Sequence, residues 1–153
     1  MSTNLLGIDI GGTKCAVIYG IDHDGQIEIA DKVRFDTTDV DTTLSSILQE
    51  LKGLCAKHGL NASNTQGVGI SCGGPLDSRR GVVMSPPNLP GWDNIPIVRL
   101  VQDACGIPAV LQNDANACAV AEWKYGAGRG TRNMVFLTFG TGLGAGLVLD
   151  GKL

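Results

Sequence analysis

The apolar positions along this chain change their spacing several times, and each change marks an element. Residues 5–10, 15–21 and 27–35 are short apolar or alternating runs broken by turns, the pattern of a three-stranded antiparallel meander. Over residues 40–58 the spacing becomes helical. Leu44, Ile47, Leu48, Leu51, Leu54 and Cys55 fall on one stripe, and Gly59 is the natural stop. Residues 68–72 predict a short buried strand that runs into Gly73-Gly74-Pro75. Pro86, Pro87 and Pro90 exclude regular helix from residues 85–92 and predict an extended loop. A short helix fits 96–105, a strand 109–112 and an alanine-rich helix 114–125. A connector over 126–133 then leads to a second strand–turn–strand pattern beginning at Met134.

The resulting order is β-β-β-α-β-α-β-α, with helices crossing over between strands that run parallel. That is a mixed α/β lobe. In such sheets ligands gather beyond the carboxyl ends of strands. The polar or glycine-rich segments 11–14, 73–77 and 113–116 each follow a strand and are expected to converge on one crevice.

Two glycine–threonine turns stand out, Gly11-Gly12-Thr13 and Gly140-Thr141-Gly142-Leu143-Gly144. Each lies between two apolar strands, and each strand pair ends in Asp-Gly, at Asp24-Gly25 and Asp150-Gly151, a hairpin signal. Glycine beside a hydroxyl lets backbone N–H groups approach phosphate oxygens. Two such turns far apart in sequence read as two jaws on one polyphosphate. After Asp24-Gly25 a third strand follows, whereas only Lys152 and Leu153 follow Asp150-Gly151. The chain therefore reads as a complete lobe over 1–132 and the first hairpin of a truncated second lobe over 133–153. The hairpin strands are apolar on both faces, so self-association or docking onto the first lobe is expected.

Composition narrows the partners. The 153 residues are 43% hydrophobic and 18% charged with a net charge of −3, values of an ordinary soluble globular chain. No basic run points to nucleic acid. No stretch reaches the roughly 20 apolar residues of a membrane span. The N-terminus lacks the pattern of a signal peptide. Five scattered cysteines without a Cys-x-x-Cys pair read as small buried hydrophobes of a reducing compartment, and no zinc site is expected within this chain. The expected location is the cytoplasm.

Asp9 sits inside an apolar strand just before the first glycine turn. A carboxylate there repels phosphate unless a cation lies between them, which implies Mg²⁺, held by Asp9 through water. Thr13 and Lys14 are phosphate donors, although Lys14 also fits a solvated surface charge. A second acid, Asp114, stands at a strand-to-helix junction in Gln112-Asn113-Asp114-Ala115-Asn116. Phosphorylation of an alcohol needs one acid to organise the metal and another to accept the hydroxyl proton. Asn113 offers a donor and an acceptor to sugar hydroxyls, although an Asx residue here also fits a plain helix cap. Gly73, Gly74 and Asn88 can shape the polar end of the crevice. Trp92 reads as packing against the proline loop, and His23 and His58 as exposed bystanders.

Together these segments resemble the ROK family (repressor, open reading frame, kinase) of the actin-like ATPase superfamily, whose lobes have a ribonuclease H-like fold. Gly7-Ile8-Asp9-Ile10-Gly11-Gly12-Thr13-Lys14 is similar to the family's first phosphate motif, and Gly140-Thr141-Gly142-Leu143-Gly144 to its second. Asn113-Asp114-Ala115-Asn116 is similar to its sugar and base motif. The segments at 70–75 and 85–92 resemble those that close on the sugar. The resemblance covers nearly the whole chain in order. It implies ATP-dependent phosphorylation of a hexose or amino sugar, of glucokinase, fructokinase or N-acetylhexosamine kinase type, with Asp114 as base. It further implies ATP and Mg²⁺ as cofactors and a homo-oligomer at full length. The family's zinc motif, Glu-x-Gly-His sugar contacts and adenosine pocket lie beyond residue 153, so the fragment alone is expected to be inactive. Residue 145 is Ala where many relatives have Gly. The alternative is a non-catalytic sugar-sensing regulatory module. Possession of both Asp9 and Asp114 favours the kinase, because a sensor needs neither metal nor base. A heat-shock-type or acyl-phosphate ATPase of the same superfamily fits the proline loop and Asn113-Asp114 less well.

Overall fold

The computed structural model describes residues 2–140 and 142–153. The chain divides into two compact units, 1–112 and 113–153. The helix at 114–125 thus groups with the C-terminal hairpin, whereas the sequence placed the division at 132/133.

The first unit is built on a five-stranded sheet in the order β3-β2-β1-β4-β7. Strands β1 (Ser2–Ile10), β2 (Lys14–His23) and β3 (Ile27–Asp36) form the expected antiparallel meander. The turn between β2 and β3 has positive φ at both Asp24 (53°) and Gly25 (92°), the backbone that matches the twist of a two-residue hairpin. The Asp22 carboxylate accepts the Gly25 N–H at 2.6 Å and fixes that turn.

Helix α1 (Val40–His58) returns the chain to β4 (Thr65–Cys72), which lies parallel to β1. Asp39 caps α1 by accepting the Thr42 N–H at 2.9 Å, and Gly59 ends it in the left-handed conformation at φ 65°. A small hairpin of β5 (Leu76–Asp77) and β6 (Val82–Val83) follows, unforeseen in sequence because its strands are two residues long. Helix α2 (Ile97–Cys105) then leads into β7 (Ala109–Asn113).

Alternation along the central strands explains the core. Leu6, Ile8 and Ile10 of β1 are buried, as are Val68 and Ile70 of β4, against Ile47, Leu51 and Leu54 of α1 and Ile97 and Val101 of α2. Burying an aliphatic side chain of this kind contributes about 1.5–3 kcal/mol before entropy is counted. The in-between positions Gly7, Asp9, Ala16, Ile18, Gly69 and Ser71 share the opposite sheet face, as the register Gly7↔Ile18 and Asp9↔Ser71 requires. Asp9 stands on that face at the end of β1.

Cys15 and Cys72 are buried as expected, but Cys55 and Cys105 are only partly buried and Cys118 is exposed. His58 is also not a bystander. Its Nε2 donates to the Asp31 carboxylate at 2.7 Å and the ring packs on Tyr19 at 4.8 Å, tying the end of α1 to β2 and β3.

The second unit is α3 (Asp114–Tyr125) with the hairpin of β8 (Met134–Phe139) and β9 (Leu143–Val148). Its Asp150-Gly151 turn again has positive φ at both residues. Helix and hairpin meet through small residues. A Cβ on Gly146 would lie 2.4 Å from the Ala119 Cβ and 2.6 Å from the Ala115 oxygen, so the helix backbone rides directly on the strand. The alanine-rich composition of α3 is therefore a packing requirement. Val135, Leu137, Phe139, Leu143 and Leu147 occupy the other, exposed face of the hairpin. Contact with α3, a helix of the same unit, covers the opposite face of the hairpin. Among the described residues no helix is long and apolar enough to cross a membrane.

Candidate functional site

The parallel pairing of β1 and β4 ends at Ile10↔Cys72. The segments that leave these strands, Gly11-Gly12-Thr13 and Gly73-Gly74-Pro75, therefore emerge side by side at one end of the sheet. The Gly74–Pro75 peptide is cis. Gly11 and Gly12 do not have positive φ; what demands glycine is space. A Cβ on Gly11 would lie 2.8 Å from the Lys14 oxygen, and one on Gly12 would lie 2.5 Å from the Asn88 oxygen.

Asn88 reaches this position because the proline loop is anchored on either side of it. Leu89 and Trp92 are both about 1% exposed in the core, and the loop closes on itself through Leu89 N–H to Pro86 O at 2.9 Å and Ser85 N–H to Trp92 O at 2.9 Å. The Ser85 hydroxyl also bonds the Asp93 carboxylate. Trp92 is thus a packing residue, as read from the sequence, and exposed Asn88 is the part of the loop laid against the glycine turn.

Asp9, one residue before the end of β1, is exposed, and its carboxylate makes no hydrogen bond or ion pair among the described residues. A lone, solvent-exposed carboxylate beside a glycine turn has the donor chemistry that Mg²⁺ takes, one or two carboxylates with the remaining positions left to water and substrate oxygens. Among the described residues no cluster of three or more His, Cys, Asp or Glu side chains is placed to hold a metal by itself. Thr13 and Lys14 are exposed beside the turn.

In the second unit, Asn113 is the cap of α3. Its Oδ1 accepts the N–H of Ala115 at 3.1 Å and of Asn116 at 3.4 Å. Asp114 follows, exposed, with Oδ1 accepting the Ala115 N–H at 2.8 Å. Its other oxygen has no partner among the described residues and is open to a ligand.

The second glycine turn divides into two roles. Gly140 and Gly142 face open space, and the Gly140 N–H donates to the Gly142 oxygen at 3.0 Å. Thr141 lies outside the described residues. Gly144 belongs to β9, where a Cβ would meet Thr138 at 2.7 Å and Ala115 at 3.2 Å. Gly144 therefore allows α3 to approach the hairpin.

The sequence passed over one participant, Thr37. Its hydroxyl donates to the Gly11 oxygen at 2.6 Å and its N–H to the Thr13 oxygen at 2.9 Å. A threonine in a strand-to-helix link looks like ordinary helix-start chemistry, so only the folded register reveals it.

The sequence model of the ROK family matches residues 5–153. The chain belongs to the ROK family. It is 37% identical over 148 residues to the glucokinase of Streptomyces coelicolor, covering 97% of this chain and 44% of that protein. Among solved structures it is similar to a ROK family glucokinase from Streptomyces griseus in complex with glucose and AMPPNP, with a TM-score of 0.77, 32% identity and coverage of 97% of this chain and 45% of that one. A ROK family transcriptional regulator, a homologue of the E. coli MLC protein, matches with a TM-score of 0.83 at 25% identity over 97% of this chain and 37% of that one. The chain thus spans somewhat under half the length of these relatives. Its fold is the actin-like ATPase lobe of ROK proteins with a mixed sheet, as expected from the sequence.

Proposed function

We propose that this chain supplies the N-terminal half of an ATP-dependent kinase for a hexose or amino sugar. The observation that carries the reading is the first unit's own geometry: a glycine turn with a free carboxylate at its root, Gly73-Gly74 beside it, and Asn88 seated on Gly12. Similarity to glucokinases, one of them described with glucose and a nucleotide analogue, supports the same reading.

In this reading Gly11, Gly12, Thr13 and Lys14 form one jaw on the phosphates, and Gly140, Thr141, Gly142 and Gly144 belong to the other. Gly73, Gly74, Asn88, Asn113 and Asp114 bind the sugar. Asp9 holds the Mg²⁺ ion through water; when bound, that ion neutralises charge on the phosphate oxygens. The sugar hydroxyl oxygen bonds to the γ-phosphorus as the bond from that phosphorus to the ADP oxygen breaks. Asp114 takes the hydroxyl proton on its unpartnered oxygen. The protein works in the cytoplasm, on small molecules, as a homo-oligomer.

The test is a chimera in which residues 1–153 replace the matching half of the S. coelicolor glucokinase. Sugar phosphorylation with ATP is expected, whereas residues 1–153 alone are silent. Asp114→Asn in the chimera should lower kcat by about 10²–10⁴, the usual worth of a general base, with sugar affinity kept. Near-normal turnover would reduce Asp114 to a helix-start residue. The second reading is a sugar-sensing regulatory module, favoured by the similarity to the transcriptional regulator. A chimera that binds sugar and never turns over would support it.

A further inference from the structure

The first glycine turn is held from behind by a single residue of the link between β3 and α1. The Thr37 hydroxyl donates to the Gly11 carbonyl at 2.6 Å, and the Thr37 N–H donates to the Thr13 carbonyl at 2.9 Å. The buried Cys15 sulfur lies 3.3 Å from the Thr37 hydroxyl oxygen. A hydroxyl has one proton, and Thr37 commits it to Gly11, so the thiol is the donor to Thr37. Burial pushes the Cys15 thiol up, which keeps that proton in place at neutral pH. The link is tied on its other side as well, because the Thr38 N–H donates to Thr43 Oγ1 at 2.9 Å and Thr43 is only 1% exposed on α1.

The consequence follows from the planar trans peptide. The Gly11 carbonyl and the Gly12 N–H belong to one peptide and point in opposite directions. Holding the carbonyl against Thr37 directs the Gly12 N–H to the side away from the link. This peptide has glycine on both sides, the least restrained setting a peptide can have. Without a pin it is free to turn over. The N–H groups of Gly12 and Thr13 make no hydrogen bond among the described residues, so they are available to an anion.

We propose that Thr37 is a positioning residue for nucleotide phosphate, fixing the Gly11–Gly12 peptide so that the Gly12 N–H faces the phosphate oxygens. This rests on the reading of the turn as a phosphate jaw. Thr37 touches no substrate; it acts through the backbone of Gly11 and Thr13.

The experiment titrates the ¹⁵N-labelled chimera, residues 1–153 joined to the remaining half of the S. coelicolor glucokinase, with Mg·ATP and, separately, with glucose, following the Gly12 and Thr13 amide signals. Mg·ATP is expected to move both signals in the parent chimera. Thr37→Val should bind Mg·ATP about fivefold more weakly, the net worth of one hydrogen bond, while glucose affinity and the remaining spectrum stay unchanged. Thr37→Ser, which keeps the hydroxyl, should restore parental binding. Equal Mg·ATP affinity in Thr37→Val and the parent overturns the proposal, as does a Thr37→Ser chimera as weak as Thr37→Val. If Thr37→Val does not fold, Thr37→Ala compared with Thr37→Ser decides by the same criteria. A parent chimera whose Gly12 and Thr13 amides ignore Mg·ATP overturns the phosphate-jaw reading and this proposal together, an outcome distinct from equal binding by parent and variant.

Discussion

The main-chain oxygen of Asn88 lies 2.5 Å from the point that a Cβ on Gly12 would occupy. The proline loop and the glycine turn, 76 positions apart in sequence by the difference of those two residue numbers, therefore share one contact with no room for a methyl group. The neighbour that would have to give way is backbone, held by Leu89 and Trp92 in the core.

Gly12→Ala should consequently cost about 1–3 kcal/mol, the usual penalty for overpacking a closed contact. The urea midpoint reads this directly, and Mg·ATP affinity should fall with it. A variant as stable as the parent would mean that the loop lifts away at no cost.

Asp9→Ala should weaken Mg·ATP binding by about tenfold or more, the worth of a charge-assisted hydrogen bond passed through a metal-bound water. Glucose affinity should not change, since the sugar contacts proposed above, Gly73, Gly74, Asn88, Asn113 and Asp114, do not include Asp9. Calorimetric titration with each ligand separates the two. Loss of glucose binding with nucleotide binding intact would reverse the assignment of the two segments.

An acid-sensitive tie joins α1 to the sheet. Lys57 at 2.8 Å, and secondly His58 at 2.7 Å, hold the Asp31 carboxyl down to about 2 from its ordinary 3.8. A carboxyl depressed in the folded state contributes stability that is complete above the unfolded value of 3.8 and is lost as pH falls towards about 2. Asp31→Asn should therefore be less stable than the parent at neutral pH, and the difference should shrink through that acid window. Urea midpoints across it would show the convergence. A gap that stays constant would exclude the ion pairs as its origin.

Much of this was legible beforehand, and the reasons are local. The stripe Leu44, Ile47, Leu51 and Leu54 specifies α1 by itself, and Asp24-Gly25 and Asp150-Gly151 specify their turns because few dipeptides accept two positive φ values. What escaped was non-local. Asn88 meets Gly12, and Thr37 meets Gly11, only once the sheet has set its register. His58 looked idle because its partners Asp31 and Tyr19 sit on two other elements. Gly144 reads as part of a phosphate turn, and its packing duty, leaving room for Ala115 of α3, has no separate signal in a sequence.

Gly146→Val should separate the C-terminal hairpin from its helix, because the added carbons fall where Ala119 and the Ala115 carbonyl already are. The expected result is rapid amide exchange across β8 and β9 with the five-stranded sheet still protected. Slow exchange in β8 and β9 would show that the hairpin is held by something other than α3.

The chain has two tryptophans, and they fall one to each compact unit: Trp92, sealed in the first, and Trp123, whose indole N–H reaches the Thr131 carbonyl at 2.8 Å in the second. Each unit thus carries its own fluorophore. The slope of unfolding against denaturant grows with the surface newly wetted, and the hairpin's outer face of Val135, Leu137 and Phe139 is wet already. A chain keeping only Trp123 should therefore report a broader, shallower urea transition than one keeping only Trp92, and the two emission signals divide one melting curve into its parts.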